Sequence, residues 1–473
     1  MSEVRVELRE VSYGEVKALE DINLTLGPGL YVVVGRSGSG KSTLGKVISG
    51  VIPHIEKARV VGRVAVSGLD VLNSNIYKVN KTVAYLAQSP YDQVLAGTVI
   101  DELTLVADNV GRSARDVEKV AEAVGLRPLL KRKVEELSGG QLQRVAIAKI
   151  LLVGASVVVF DEPLAHLDLR SARSLLGDLL ALKEGGKTVI LIEHRFRDLA
   201  PILPKVDKII LLDRGRVVDV FKGGEALGRA DVLRKHGIRV EWRAPPRSPS
   251  YNGAVRVSVS GVWFSYGRHQ VLRGVDLELR EGVVYALIGP NGSGKSTLLK
   301  IITGVLKPER GSVKVEGVVG YLPQNPDVVL FYQTVREEVA ARAQWWAGGG
   351  AADVADEFIN ALNLGELRGR NPHSLSRGQR FRAAFAAVLA LRPDVLLLDE
   401  TTVGQDLENL EAICALLREY VGRGKTALVA THDLRFVAGC CDYAYVLSDG
   451  RIAARGPAGE VAQSAEAVYG RQD

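Results

Sequence analysis

The sequence predicts an α/β fold laid down twice, and three observations predict it. First, a glycine-rich loop, GRSGSGKST at residues 35–43, recurs as GPNGSGKST at 289–297. Second, short runs of Val, Ile and Leu that end in loops (LYVVVG, SVVVFDE, KTVILIEH) alternate with longer amphipathic stretches such as ARDVEKVAEAVGL. That alternation marks buried parallel strands separated by helices. Third, the two halves run in register. The offset is 254 between Lys41 and Lys295, 236 between Gln88 and Gln324, and 238 between the octets LSGGQLQR (137–144) and LSRGQRFR (375–382). It stays at 238 between VVVFDEP and VLLLDET and between His194 and His432. A fixed spacing of this kind is the sequence signature of a duplicated unit. The difference of eighteen residues is expected in one longer excursion of the first half, within residues 45–84.

Size agrees with two cores. The chain has 473 residues, 47% hydrophobic and 25% charged, which is the profile of a globular protein with two domains. The predicted division is 1–240 for the first module, 241–253 for a linker and 254–473 for the second. The stretch RAPPRSPSYNG (243–253) breaks both helical and strand periodicity and carries the boundary. The opening MSEVRVELRE is charged and alternating, so it reads as a first strand rather than a signal peptide. No apolar run reaches the ~18 residues a membrane span needs. Net charge is +6, from 61 basic against 55 acidic side chains spread along the chain, with no basic block of the kind that binds nucleic acid. Cys414, Cys440 and Cys441 show no CxxC spacing and read as reduced thiols.

The repeated loop fits G-x-x-x-x-G-K-[ST], a strand-to-helix turn whose backbone N–H groups wrap phosphate oxygens. Such a pattern is expected by chance about 0.02 times in a chain of this composition, so two copies exclude coincidence. The candidate phosphate ligands are Gly35, Ser37, Gly38, Gly40, Lys41, Ser42 and Thr43 in the first copy. Gly289, Asn291, Gly292, Gly294, Lys295, Ser296 and Thr297 are their counterparts. The lysines reach the β/γ-phosphates, and Ser42 and Ser296 ligate Mg²⁺. Roughly 120 residues later, VVVFDE and VLLLDE end buried strands in carboxylate pairs. Asp161 and Asp399 are expected to hold Mg²⁺ through water, and Glu162 and Glu400 to polarise an attacking water. His194 and His432 steady a γ-phosphate, and Gln88 and Gln324 sense the metal and its water. Tyr13 and Tyr266, in SYG near the start of each half, are placed to stack on adenine.

Phosphate loop, glutamine loop, LSGGQ, DE-ending strand, the Asp168 and Asp406 turns and a final His form a motif order that resembles the ABC-type ATPases. The resemblance covers essentially the whole chain, twice. It implies two tandem P-loop modules, each a RecA-like core with an antiparallel β subdomain and a helical subdomain (~90–140 and ~326–378). It further implies a head-to-tail pairing that sandwiches two ATP molecules with Mg²⁺. Site one would join Lys41, Gln88, Glu162 and His194 to Ser376, Gly378 and Gln379. Site two would join Lys295, Gln324, Glu400 and His432 to Ser138, Gly140 and Gln141. Arg377 then stands in site one where the other octet has glycine: either its side chain faces solvent and changes little, or, the sharper alternative, site one hydrolyses more slowly than site two.

Among ABC proteins, AQSPYDQVLAGTVIDEL and PQNPDVVLFYQTVREEV resemble the glutamine-loop region of energy-coupling factor importers. The first copy has Asp92 and Gln93 where the second has Val328 and Val329. This subtype implies transmembrane coupling and substrate-capture subunits as partners, import of a vitamin or transition-metal ion, no direct nucleic-acid contact and a peripheral position on the cytoplasmic face of the membrane. A fused sugar-import ATPase is the closer alternative. A tandem ATPase acting on ribosomes or nucleic acid is the other. Against the ribosomal class stand the short Pro-rich junction and a first cysteine as late as Cys414.

Overall fold

The computed structural model describes residues 2–471 except 37, 88–93, 138, 165–166, 168, 194–195, 239–250, 401 and 403–406; at 139–140, 169–170, 197, 377, 407–408 and 465–471 it describes the backbone alone. The chain divides into two compact units, Met1–Glu241 and Trp242–Asp473.

In the first unit a six-stranded sheet carries the strands in the order Arg216–Phe221, Lys208–Asp213, Gly29–Val34, Thr188–Ile192, Val157–Asp161 and Val83–Leu86. The last five are parallel, and the first pairs antiparallel as a hairpin edge. Gly29–Val34, Val157–Asp161 and Thr188–Ile192 are buried at every position, as β-branched runs covered on both faces must be. A second sheet, antiparallel, orders Val16–Leu26, Val4–Tyr13, Arg59–Val66 and Leu69–Asp70. Its strand Val4–Tyr13 alternates buried and exposed side chains over the first six positions, so one face meets the core.

The second unit repeats the design. Its six strands run Val319–Leu322, Val395–Asp399, Thr426–Ala430, Val284–Ile288, Tyr443–Ser448 and Arg451–Pro457, the same order read from the other edge. Its antiparallel sheet has three strands, His269–Arg280, Val255–Tyr266 and Arg310–Val315. Each unit adds helices between the glutamine loop and the LSGGQ-type octet: Val99–Val110 and Ala114–Ala123 in the first, Val335–Ala347 and Ala351–Ala361 in the second.

Two expectations need correction. The eighteen extra residues of the first unit do not form one excursion. Gly62 and Gly311 occupy matching places in their strands, an offset of 249, so five residues lie before that strand and thirteen between it and the strands starting at Val83 and Val319. The first insertion contains the turn Val51–His54; the second contains the short strand Leu69–Asp70 and the helix Ile76–Thr82. Secondly, Cys414 and Cys440 form a disulfide, with Cα atoms 5.6 Å apart, and Cys441 is the free thiol. Sequence spacing hid the pair because the helix Leu434–Cys440 packs back on Leu407–Gly422, bringing together residues separated by 26 positions.

Candidate functional site

Each phosphate loop begins where a buried strand ends. After Val34 and Ile288 the backbone runs so close to the neighbouring strand that a Cβ on Gly35 would lie 2.1 Å from the Leu212 carbonyl, and one on Gly289 would lie 2.2 Å from that of Leu447. Only glycine fits there. Gly40 (φ +97°) and Gly294 (φ +101°) take the left-handed conformation that turns the chain into the helices Lys41–Ile48 and Lys295–Ile302. Their first N–H groups point into the loop, as an anion site requires. Lys41 Nζ donates to the carbonyls of Gly35 and Arg36, both at 2.8 Å, and Lys295 Nζ to those of Gly289 (2.9 Å) and Pro290 (3.2 Å). Thr297 is buried, Thr43 half-buried, and Ser42 and Asn291 are exposed.

The carboxylates gather beside these loops. Ser42 Oγ donates to Asp161 Oδ1 (3.1 Å), and the Tyr85 hydroxyl donates to Asp161 Oδ2 (2.8 Å). Tyr321 makes the matching bond to Asp399 Oδ2 at 3.3 Å. Burial raises the pKa of both aspartates, and the adjacent Glu162 and Glu400 charges add to that rise. In the second module Lys295 Nζ lies 3.5 Å from Glu400 Oε1, while His432 Nδ1 is 2.9 Å from Glu400 Oε2. Burial of Glu400 opposes its ionisation, yet the His432 and Lys295 charges outweigh it and hold its pKa at about 2. Glu162 and Glu400 both sit at positive φ (+50° and +52°), with their N–H groups bonded to the carbonyls of Ile192 and Ala430. Non-glycine residues held in that region cost about 1–3 kcal/mol and concentrate at functional sites.

The octet LSRGQRFR starts a helix, Arg377–Leu389, with Ser376 as its N-cap. Ser376 Oγ accepts from the Gln379 N–H, and Gln379 Oε1 accepts from the Ser376 N–H (3.1 Å). This is a capping box, legible in S-x-x-Q although the sequence reading passed over it. Gly378 is half-buried in the first turn. The twin octet starts the helix Gly139–Val153, which includes Gly140 and Gln141.

After each glutamine loop, TVIDE (98–102) and TVREE (334–338) build matching local architecture. Thr98 and Thr334 are N-caps of the helices that follow, their hydroxyls accepting from the N–H groups of Asp101 and Glu337. The next glutamate turns inward and is fully buried in both copies. Glu102 Oε2 accepts from the N–H groups of Leu95 and Ala96, and its other oxygen pairs with Lys149 of the LSGGQ helix. Glu338 Oε2 accepts from those of Phe331 and Tyr332, and its partner is Arg342, one turn along its own helix. Each glutamate therefore pins the exit of its glutamine loop.

The geometry thus brings together Lys41, Ser42 and Asp161 in one module, and Lys295, Asp399, Glu400 and His432 in the other. Gln324 lies exposed on the loop after Val319–Leu322. Tyr13 and Tyr266, 37% and 50% exposed, end the first strand of each module, and the Tyr266 ring meets Phe264 edge to face at 5.0 Å. Ser37, Gln88, Asp92, Gln93, Ser138, Asp168, His194 and Asp406 lie outside the described residues. Tyr85 and Tyr321 were overlooked. The repeated YL-x-Q was the available signal, since strand alternation puts that ring on the same face as the aspartate of the neighbouring strand.

Two α/β modules, each with a phosphate loop beside a buried aspartate at a strand end, define a tandem P-loop ATPase. The ABC transporter family model matches residues 19–165 and 272–403. The chain belongs to that family as an ATP-hydrolysing, ATP-binding component. A Saccharolobus solfataricus protein bearing the provisional name ABC transporter ATP-binding protein is 33% identical, over 91% of this chain and 88% of its own. A Methanosarcina mazei protein with the same provisional name is 30% identical over 94% of each chain. Among solved structures, the archaeal ribosome recycling factor aABCE1, determined with the ribosomal stalk protein aP1, is 25% identical with a TM-score of 0.66, covering 96% of this chain and 91% of that one. A structure described as RNase-L Inhibitor, 24% identical with a TM-score of 0.67 over 98% and 93% of the two chains, shares the fold. Among the described residues no helix is long and apolar enough to cross a membrane.

Proposed function

We propose that this chain is the ATP-hydrolysing subunit of a transporter of the energy-coupling factor type, which drives import of a small solute, a vitamin or a transition-metal ion, through separate membrane subunits. The observation that carries the hydrolytic part is the second module's cluster, in which Lys295 and His432 hold Glu400 ionised at the end of a buried strand. An ionised carboxylate is what a water-polarising base has to be. Lys41 and Lys295 bind the β/γ-phosphates, and His432 and His194 orient the γ-phosphate.

Mg²⁺ fits the same pockets. Asp161 presents Oδ1 toward the Ser42 hydroxyl. Asp399 Oδ1, buried, makes no hydrogen bond of good geometry, with the Ser296 hydroxyl close enough to lower its pKa. A serine oxygen and a water-bridged carboxylate are the hard oxygen donors this cation prefers, and the bound ion would neutralise charge on the transferring phosphoryl group.

In our reading the octet residues Ser376, Gly378 and Gln379, and their counterparts Ser138, Gly140 and Gln141, present donors to a nucleotide γ-phosphate. The capping box is compatible with this role. Ser376 Oγ uses a lone pair on Gln379, and its proton remains to donate to phosphate. Binding energy gained only on closure performs the work, and hydrolysis resets it.

The transporter reading rests on whole-length similarity to relatives named as transporter components and on the glutamine-loop resemblance. A second reading, a tandem ATPase acting on ribosomes, is favoured by the likeness to aABCE1. Affinity purification of the tagged chain from solubilised membranes, together with ribosome sedimentation, tests the two. Recovery of stoichiometric membrane subunits supports the first reading. Nucleotide-dependent co-sedimentation with ribosomes, and no membrane partner, sinks it.

A further inference from the structure

We propose that Tyr85 and Tyr321 are positioning residues for the metal at the two phosphate sites: each hydroxyl holds one oxygen of the strand-end aspartate and thereby aims the other at the cation. This rests on the Mg²⁺ assignment above. The bonds are Tyr85 to Asp161 Oδ2 at 2.8 Å and Tyr321 to Asp399 Oδ2 at 3.3 Å, and in the first module Oδ1 is the oxygen that meets Ser42.

Strand register produces the contact. Val83–Leu86 runs parallel to Val157–Asp161 with Tyr85 opposite Val159, and Tyr321 sits opposite Leu397 in the same way. Side chains two residues apart share a face. Asp161 and Asp399 therefore project on the side of the tyrosine, one step further along, at a distance a phenol spans. Phenylalanine would fill the same space and keep the packing; what it would lose is the donor. Without that donor the carboxylate keeps only its serine contact, on the oxygen meant for the metal, and the metal has to fix its orientation on binding. Partners that orient a metal's ligands in this way are commonly worth 10–100-fold in metal affinity.

The tyrosines also lie three residues before Gln88 and Gln324, on the strands that feed the glutamine loops. Displacement of either strand would be felt at the carboxylate through one hydrogen bond. The metal site is in this way tied to the loop that follows it.

The test uses Y85F, Y321F and the double variant in the full chain. Binding of a fluorescent ATP analogue is followed first in EDTA and then across a Mg²⁺ titration. We expect metal-free affinity within twofold of wild type, and a Mg²⁺ half-saturation raised about tenfold at the altered site. Each single variant should give a two-phase curve, and the double variant a single shifted one. Curves superimposable on wild type overturn the proposal, as does an equal loss of metal-free affinity, which would indicate a packing role. Y321F reads the second module independently should Y85F fail to fold. A wild-type curve indifferent to Mg²⁺ would instead refute the metal assignment itself.

Discussion

The two helical subdomains share an outline and differ in how they are fastened. In the first module, Val99, Leu103, Val117, Leu126 and Val145 belong to a hydrophobic cluster separate from the one on the large sheet, and the LSGGQ helix straddles both. In the second module a single cluster runs from Val335 and Ile359 through Phe381 and Phe385 to Leu396 and Val429 on the sheet. Trp346 reinforces that continuity, with its indole N–H on the Ala390 carbonyl and Arg392 over its ring at 3.7 Å. Even the struts to the octet helices are exchanged. Lys149 reaches Glu102 in the first module, whereas in the second Arg380 reaches Asp327 on the glutamine loop. A duplicated unit can thus keep its phosphate chemistry while its halves drift in mechanical stiffness. The first helical subdomain has a hydrophobic cluster of its own, and the second shares one with its sheet.

The most forceful way to break the comparison is chemical. Replacing both Glu162 and Glu400 by glutamine should lower ATP turnover by at least about 100-fold, the usual worth of a general base. The single variants sharpen it. If the site of Lys41 and Glu162 is the slower one, E400Q costs the larger share of turnover and E162Q the smaller. Equal losses would end the idea of unequal sites.

Stability tests the fastening. Removing one partner of a buried, hydrogen-bonded ion pair costs about 3–5 kcal/mol, so E102A and E338A should each unfold their module well before its sibling in a denaturant titration. R380A should cost less than about 1 kcal/mol, because its pair with Asp327 is partly exposed to water. Acid adds a sign. Burial raises the Glu102 pKa, but Lys149 and two backbone N–H groups more than offset it, leaving the folded value below 4.5. The clamp's contribution is therefore complete above pH 4.5 and fades as pH falls through the lower folded value. In E102Q that acid-dependent loss should shrink.

Sequence periodicity disclosed both sheets, both phosphate loops and the carboxylates, because buried parallel strands and glycine-dependent turns leave composition little freedom. Three features were hidden. The left-handed backbone of Glu162 and Glu400 has no residue-type signal, since glutamate is not a residue that favours it. The Cys414–Cys440 bond depends on helix packing rather than on spacing. The tyrosine–aspartate contacts depend on strand register, which a lone sequence does not print. The segments TVIDE and TVREE also carry a local role that the resemblance did not disclose: Thr334 and Glu337 cap a helix and Glu338 clamps the loop before it.

The disulfide offers a difference confined to one module, since the first 413 residues contain no cysteine. Closing a loop of 26 positions is worth about 3.5 kcal/mol by chain-entropy arithmetic. Reductant should lower the melting point of the second module and leave that of the first untouched. Alkylation without reductant, followed by mass spectrometry, should label Cys441 in the unfolded chain and spare the other two. Labelling of all three would remove the bond from the comparison.

The smallest effect concerns what both modules kept. Burial raises the pKa of Asp161 and Asp399, so the folded chain binds their protons more tightly than the unfolded chain does. Where both are ionised, that imbalance works against folding, and stability rises as pH falls through the raised values. Asparagine has the same shape without the charge. D161N and D399N should each raise the melting temperature of the nucleotide-free protein, the direction expected when a charge disfavoured by burial is removed. The same variants should lose the Mg²⁺ dependence of nucleotide binding. Calorimetry on the two variants decides the matter: a lower melting point in both would mean that the aspartates hold the fold together, and that the metal site carries no stored cost.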